Sequence, residues 1–577
     1  MNQDDETPST SSEAKLSSSW TEPRVGTGSR AGHLDSLAIL LITFFYFGLT
    51  ALTRAISLGD TPFYLSSVLK YSGGRDLVFW DFGHLLWRPA IWTLYRAGHW
   101  IDPRIDPRSL VFHLLLSVNW IAGLGCLLLM ARVVRRFATA RFAVLAATTL
   151  ATSQVFLNYL HTGTSYVPGL FFLLLALELA TSSLSHVPRP WVESSLFGAS
   201  LAIPVLLWLP YIFAIPGLLL LPSLLHGPNK KTAHYAINAT IACAAIGFGA
   251  YASVALEMHF SSFTEVTAWF DRASHSIDHV GGIARAVFGF NRAWFEMGRD
   301  GLLFRRFLLH DPYAPVSATT LVFTGVWKIA LTYAFLATIA FRLLRGSVRD
   351  HRILAFLSLT FLPVFAFGIK WQGGDMERYI AAFPAIVLAG ACALTSRPGT
   401  ALRTLGIAFV SALLIVNLPN DLTWVRDAGD RALASRLASI GPIPEGSYLF
   451  VFPSDPLTGF VPSSTNSAAG YDRDVTVIGI VPIGYRDAPD WRAIFASMSL
   501  KAWQDGKDVW ICSCLLDPVP NPKWGWVEGT EPSVRWTDIR SFLSHLQVSE
   551  RRGDFVQLPP TPGNVEFLGA IPPPPDR

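Results

Sequence analysis

Long unbroken apolar runs, rather than an alternating or helical rhythm, dominate most of the chain. They occupy residues 36–58, 110–131, 138–158, 167–184, 195–225, 235–256, 326–344, 353–369, 380–394 and 405–418. A hydrocarbon core about 30 Å thick is crossed by roughly 17 to 25 helical residues. Each run therefore suits one span, the last two being short, except 195–225, which is too long. Pro204, Pro210 and Pro216 punctuate that run. A proline removes an amide donor and clashes with the preceding turn, so two short helices meeting near Pro210 are expected. The count becomes about eleven spans.

Charge supports the split. With the N-terminus inside, the connections carrying Arg132, Arg135 and Arg136, then Lys230 and Lys231, then Arg345, Arg349 and Arg352, then Arg397 and Arg403 all fall on the cytoplasmic side. Treating 195–225 as one span breaks this parity. Two long outer loops, 59–109 and 257–325, are basic as well. The charge rule is weak for long loops, and cations held there suit either an anionic ligand or lipid headgroups.

The pattern changes after the last run. An amphipathic segment, 421–440, leads into strand-like SYLFVF and VTVIGIVPI, helix-like WRAIFASMSLKAWQ, strand-like VWICSC and helix-like WTDIRSFLSHLQ. Such alternation predicts a small α/β domain. The first 33 residues are polar and Ser/Thr-rich without an apolar core, and read as a disordered cytoplasmic tail.

Composition agrees with the pattern. With 51% apolar and only 15% charged residues, the chain is too apolar for an ordinary soluble enzyme of its length. A net charge of +4, scattered among apolar runs, makes no basic stripe for nucleic acid. Of five cysteines, three lie in apolar runs, Cys512 and Cys514 sit two apart in VWICSC, and none has zinc-site spacing.

Candidate chemistry gathers in ISLGDTPFYLSSVLKYSGGRDLVFWDFGHLLWRPAIWTLYR, directly after the first span, with Asp60, Asp81, His84 and Arg88. A carboxylate at the mouth of an apolar bundle is costly unless solvated or paired, which makes it a functional candidate. The structural alternative is that Asp60 merely caps the helix beginning TPFYL, where Asp is favoured.

An acid immediately after span one, the element DFGHLLWRP and the later GGDMERYIAAFPAIVLAG resemble the GT-C class of integral membrane glycosyltransferases. The resemblance covers residues 36–418. It implies a GT-C-like polytopic α-helical membrane domain over 34–419 with outer loops 59–109 and 257–325. A C-terminal soluble α/β domain over 420–577 follows on the extracytoplasmic side, and the tail 1–33 precedes it.

The resemblance also implies transfer of a sugar from a polyprenyl-phosphate-linked donor to a glycan, lipid or protein acceptor at the extracytoplasmic face of the plasma (inner) membrane. Asp60 matches the usual catalytic base, with Asp81 as a second catalytic carboxylate. His84, Arg88, His161, Tyr166, Lys328, Lys370, Glu377, Arg378 and Tyr379 are the substrate-binding candidates. For Lys328 and Lys370 the alternative is snorkelling to headgroups; for Arg378 and Tyr379 it is anchoring at the interface.

One departure stands out. The second outer loop, NYLHTGTSYVPG, lacks the acid that many relatives carry. Mg²⁺ or Mn²⁺ prefers carboxylate oxygens, so a metal-dependent mechanism needs Asp60 and Asp81 to converge. Two other classes remain open from the sequence: a lipid-linked-saccharide transporter or flippase, hinted at by the proline-broken segment, and a non-catalytic membrane scaffold.

Overall fold

A computed structural model describes residues 29–52, 60–182, 190–273, 282–297, 303–304, 307–308, 316–396, 400–423, 443–451, 475–480, 491–516, 536–553 and 555–572. Among the described residues each apolar run is mainly helical. α1 (Ser29–Leu52) is followed by the short helices α2 (Thr61–Lys70) and α3 (Trp87–Ile101) of the first long loop. The long α4 (Pro107–Phe137) starts on Asp106, whose side chain accepts from the Ser109 amide at 2.7 Å, with proline in the first turn. α5 (Ala140–Ala151) and α6 (Gln154–Leu160) form a pair bent by 64°. α7 (Tyr166–Ser182) and α8 (Pro190–Leu207) complete the first half.

The proline-rich run divides as expected, two residues earlier than Pro210. α8 ends at Leu207, Trp208 is extended, and a 3₁₀ turn, Leu209–Ala214, leads into α9 (Ile215–His226). Next come α10 (Lys230–Glu257), α11 (Phe263–Ala273), α12 (Ile283–Trp294) and α13 (Ala318–Leu344), the last with a π-turn at Val322–Val326. α14 (Val348–Lys370) is followed by a 3₁₀ turn, Met376–Ala382, then α15 (Phe383–Ser396) and α16 (Thr400–Thr423). Capping boxes start α10, on Asn229 and Thr232, and α14, on Ser347 and Asp350.

Among the described residues, seven helices are long and apolar enough to cross a membrane, or eight if the α5–α6 pair is one span. Leu37–Leu52, Tyr166–Ser182 and Trp191–Leu207 are shorter apolar helices. The chain is thus a multi-pass membrane protein; the figure of eleven is not established by these lengths. α4 packs on α5 and α7, α8 lies between α7 and α10, and α14 packs on α9 and α15.

α16 runs on through Thr423, so the domain boundary expected at 419/420 falls within its last turn, and most of 421–440 lies outside the described residues. Beyond it stands the expected α/β unit. Its five-stranded sheet has order β2-β1-β3-β5-β4, with β1 (Tyr448–Val451), β2 (Thr476–Gly479), β3 (Val509–Cys512), β4 (Arg551–Arg552) and β5 (Phe555–Leu558). β1 is parallel to β2 and β3, while β5 is antiparallel to β3 and β4. α17 (Trp491–Gln504) and α18 (Trp536–Leu543) match the helix-like segments, and α19 (Pro562–Gly569) follows the sheet. The core joins Leu449, Phe450, Trp510, Phe495 and Phe542. The antiparallel edge β4–β5 was not foreseen, because FVQL is too short to show alternation.

One close approach in the helical domain bears on function. A Cβ at Gly289 of α12 would lie 1.9 Å from the Gly373 carbonyl oxygen, so only glycine lets the turn after α14 lie against α12. Arg292, a turn later on α12, donates to the Gly374 carbonyl at 2.8 Å. Gly289→Ala is expected to push this turn away and cost about 1–3 kcal/mol as overpacking, read as a lower unfolding temperature in detergent. An unchanged unfolding temperature would show that the turn does not depend on this contact.

Candidate functional site

The loop between α6 and α7 is fixed before anything can be built on it. Residues 161–166 are buried, and buried backbone polar groups must find partners. The Gly163 amide donates to Thr61 Oγ1 at 2.8 Å, its carbonyl accepts from Trp87 Nε1 at 3.0 Å, and the Thr164 carbonyl accepts from Asn119 Nδ2 at 2.8 Å. A Cβ at Gly163 would lie 2.8 Å from Leu115 Cβ and 2.9 Å from Thr61 Cγ2, so glycine is required where the two outer loops meet. His84 Nδ1 sits 2.9 Å from Ser165 Oγ and 3.0 Å from the Leu207 carbonyl. The carbonyl only accepts, so Nδ1 carries the proton.

On this base stand two carboxylates, each bonded to a tyrosine. Asp60 occupies the N-cap position of α2, yet its side chain makes no cap hydrogen bond. It accepts instead from Tyr166 Oη at 3.3 Å and is exposed. The capping alternative therefore fails on geometry. Glu377 accepts from Tyr159 Oη at 2.6 Å. The rings of Tyr159 and Tyr166 meet edge to face with centroids 4.5 Å apart, so the two carboxylate–tyrosine pairs form one group.

Beside Glu377 lies Arg378, its side chain 8% exposed, with its guanidinium 4.1 Å from the Trp371 ring centroid and 5.5 Å from that of Trp208. Arg378 Nη2 donates to Gln372 Oε1 and stands 3.7 Å from Glu377 Oε1 and 3.9 Å from Asp375 Oδ2. Its Nε has no hydrogen-bond partner among the described residues. Gln372 is held in the left-handed region at φ 47°, a conformation costly for a residue with a side chain.

Asp81 and Arg88 are committed to each other. Asp81 Oδ1 accepts from the Gly83 amide at 2.9 Å and Oδ2 from Arg88 Nη1 at 3.1 Å; Arg88 Nε donates to Ser67 Oγ at 3.1 Å. The guanidinium lies over Phe63 and Tyr64, and Arg88 is 1% exposed. Burial alone would raise the Asp81 carboxyl. The His84 and Arg88 charges and the Gly83 amide outweigh it and hold the group below the usual carboxylate range. A carboxylate so saturated is a poor base.

The structure thus brings Asp60, Asp81, His84, Arg88, Tyr166, Glu377 and Arg378 to one end of the bundle. Lys328 is engaged elsewhere: its ammonium donates to the Glu296 carbonyl at 2.8 Å, and the Glu296 amide is held by Asn417. Lys370 is exposed at the end of α14. Tyr379 is a packing residue, its hydroxyl on the Gly373 carbonyl at 2.8 Å and its ring against Phe290. His161 is buried, and burial pushes its imidazole down to about 4. Tyr159, Trp208, Trp371 and Gln372 were missed. Only the position of Tyr159 in NYLHTGTSYVPG, next to residues already singled out, could have signalled any of them.

No family model and no curated protein matches the chain. Among solved structures it is similar to the archaeal oligosaccharyltransferase AglB from Archaeoglobus fulgidus in complex with an inhibitory peptide and a dolichol-phosphate. The identity is 12%, over 92% of this chain and 74% of that one, with a TM-score of 0.51. The chain has a GT-C fold. ArnT from Cupriavidus metallidurans bound to undecaprenyl phosphate aligns at 12% identity over 92% of this chain and 98% of that one, TM-score 0.48. The mycobacterial arabinofuranosyltransferase AftD aligns at 13% identity over 90% of this chain and 37% of that one, TM-score 0.43. The likeness is one of fold, and it rests on the first structure.

A GT-C fold raises the question of a divalent cation. Among the described residues no three His, Cys, Asp or Glu side chains converge, and Asp81 is tied to Arg88. The donor set does not fit a protein-built oxygen cage.

The Asp81–Arg88 pair makes a testable statement about stability. Its carboxyl has a depressed folded pKa, so its stabilisation is complete above the ordinary value of about 3.9 and is lost as pH falls through the folded one. Asp81→Asn leaves Arg88 buried and uncompensated and is expected to cost about 3–5 kcal/mol. It should also flatten the acid limb of the thermal-stability profile. An unaltered profile would contradict the assignment.

Proposed function

We propose that the protein is a membrane glycosyltransferase that moves a sugar from a polyprenyl-phosphate-linked donor to an acceptor hydroxyl, with Asp60 as general base. The observation that carries the reading is the pairing at one bundle end of two groups of opposite use. Asp60 is an exposed carboxylate that meets the Tyr166 hydroxyl rather than capping its own helix. Arg378 is a buried guanidinium, flanked by two indoles, with an unpartnered Nε.

In this mechanism Asp60 accepts the proton as the acceptor oxygen attacks the anomeric carbon. The bond from that carbon to the phosphate oxygen breaks, its electron pair leaves with the lipid phosphate, and Arg378 offsets the growing charge. Displacement from the far side inverts the anomeric centre. The Tyr166 hydroxyl, donating to Asp60 Oδ2, orients the carboxylate. His84 holds the loop that carries Tyr166 through Ser165, while Asp81 and Arg88 hold the first loop. AglB, similar in fold and solved with a dolichol-phosphate, supports a polyprenyl phosphate as the donor class.

Two observations support an extracytoplasmic site in the plasma membrane. The short basic connections, with Arg132, Arg135 and Arg136, Lys230 and Lys231, and Arg345, Arg349 and Arg352, lie at the helix ends opposite Asp60 and Arg378. Cys512 of the C-terminal domain is disulfide-bonded, and disulfides persist in oxidising compartments. This topology puts the N-terminus in the cytoplasm.

The experiment is sugar transfer from a polyprenyl-phosphate donor by protein reconstituted in liposomes. Asp60→Asn should lower the transfer rate by about 10²- to 10⁴-fold, the usual contribution of a general base, with the protein still folded, since asparagine keeps the side chain's shape and an acceptor oxygen for Tyr166. Transfer at the parent rate would remove Asp60 from the mechanism.

A further inference from the structure

We infer that Tyr159 is a positioning residue that keeps Glu377 from closing on Arg378, and so keeps the guanidinium available to the phosphate of the donor. This rests on the reading of Arg378 as the phosphate cation given above. Glu377 divides its two oxygens: Oε2 takes the Tyr159 hydroxyl at 2.6 Å, within the range of a charge-assisted bond, and Oε1 stands 3.7 Å from Arg378 Nη2, beyond hydrogen-bond range. A carboxylate beside an arginine ordinarily pairs with it at about 2.7–2.9 Å, often through two bonds. Here it does not, although both side chains are largely buried.

The neighbours account for the separation. Tyr159 lies on α6, 218 positions away in sequence from Glu377 on the turn after α14, so their bond ties two walls of the site. Arg378 is held from other sides by Gln372 Oε1 and by the rings of Trp371 and Trp208, and its Nε remains without a hydrogen-bond partner among the described residues. Asp375, at 3.9 Å, is too far to replace a hydrogen bond and is the more exposed of the two acids. With the Tyr159 hydroxyl removed, the nearest donor left to Glu377 is Arg378 itself. A closure of less than about 1 Å completes the pair, and a phosphate must then displace a carboxylate to bind. The acid missing from NYLHTGTSYVPG is in this sense supplied from the far loop, through the tyrosine of that segment.

The test measures affinity for a short-chain prenyl phosphate by calorimetry, and KM for the polyprenyl-phosphate sugar, on the full chain in detergent. Tyr159→Phe should weaken prenyl-phosphate binding and raise the donor KM by about 5-fold, the effect of one net hydrogen bond, while kcat and its pH profile stay with Asp60. Adding Glu377→Gln, which removes the competing charge, should restore affinity in the double variant. Unchanged binding in Tyr159→Phe overturns the inference, and so does a loss that Glu377→Gln fails to restore, since that is a merely structural defect. Arg378→Gln separates the two levels. If it abolishes prenyl-phosphate binding while Tyr159→Phe has no effect, only the role of Tyr159 falls; if it leaves binding intact, the phosphate reading of Arg378 falls and takes this inference with it.

Discussion

The buried loop between α6 and α7 is the constraint on which the rest of the site depends. Its backbone cannot borrow water, so its polar groups are tied to Thr61, Trp87 and Asn119, and Gly163 admits the contact. Those ties join it to the segment between α1 and α4. They set Tyr166 against Asp60, bring Ser165 to His84, and present Tyr159 to the turn that carries Glu377.

Charge is distributed within this frame by use. The Asp81–Arg88 pair is closed, with its carboxylate saturated and its guanidinium sealed under Phe63 and Tyr64, and it holds the first loop in shape. Asp60 lies exposed against Tyr166, and Arg378 keeps an Nε without a hydrogen-bond partner among the described residues. The break at Trp208 serves the same end: an extended residue between α8 and the 3₁₀ turn delivers an indole to the face of Arg378 and a carbonyl, that of Leu207, to His84.

Much of this was legible in the sequence, because span length and proline placement are strong physical signals. The apolar runs, the division of 195–225 and the α/β alternation after Leu418 all reappear as elements. The first loop and the turn carrying Glu377 and Arg378, both singled out in the sequence, come together at one end of the bundle through Tyr166 and Tyr159. Roles within the site were not legible. Asp60 and Asp81 are the same residue type in the same loop, and only the arginine that closes on one separates them. Lys328 is a cation of the right kind at the right end of its helix, yet it is taken by the Glu296 carbonyl. Tyr159, Trp208, Trp371 and Gln372 act through contacts between distant segments, which a single sequence does not display. The short strand β5 carried too few residues to announce itself.

The central claim is that a polyprenyl phosphate seats its charged group between α6, the first outer loop and the turn after α14. Photocrosslinking with a polyprenyl phosphate carrying a photoreactive group at its first isoprene unit, followed by peptide mapping, tests it most directly. The account predicts labelling within 60–70, 156–166 or 371–379, competed by excess unlabelled carrier. Competed labelling confined to α13 or to the C-terminal domain would contradict it.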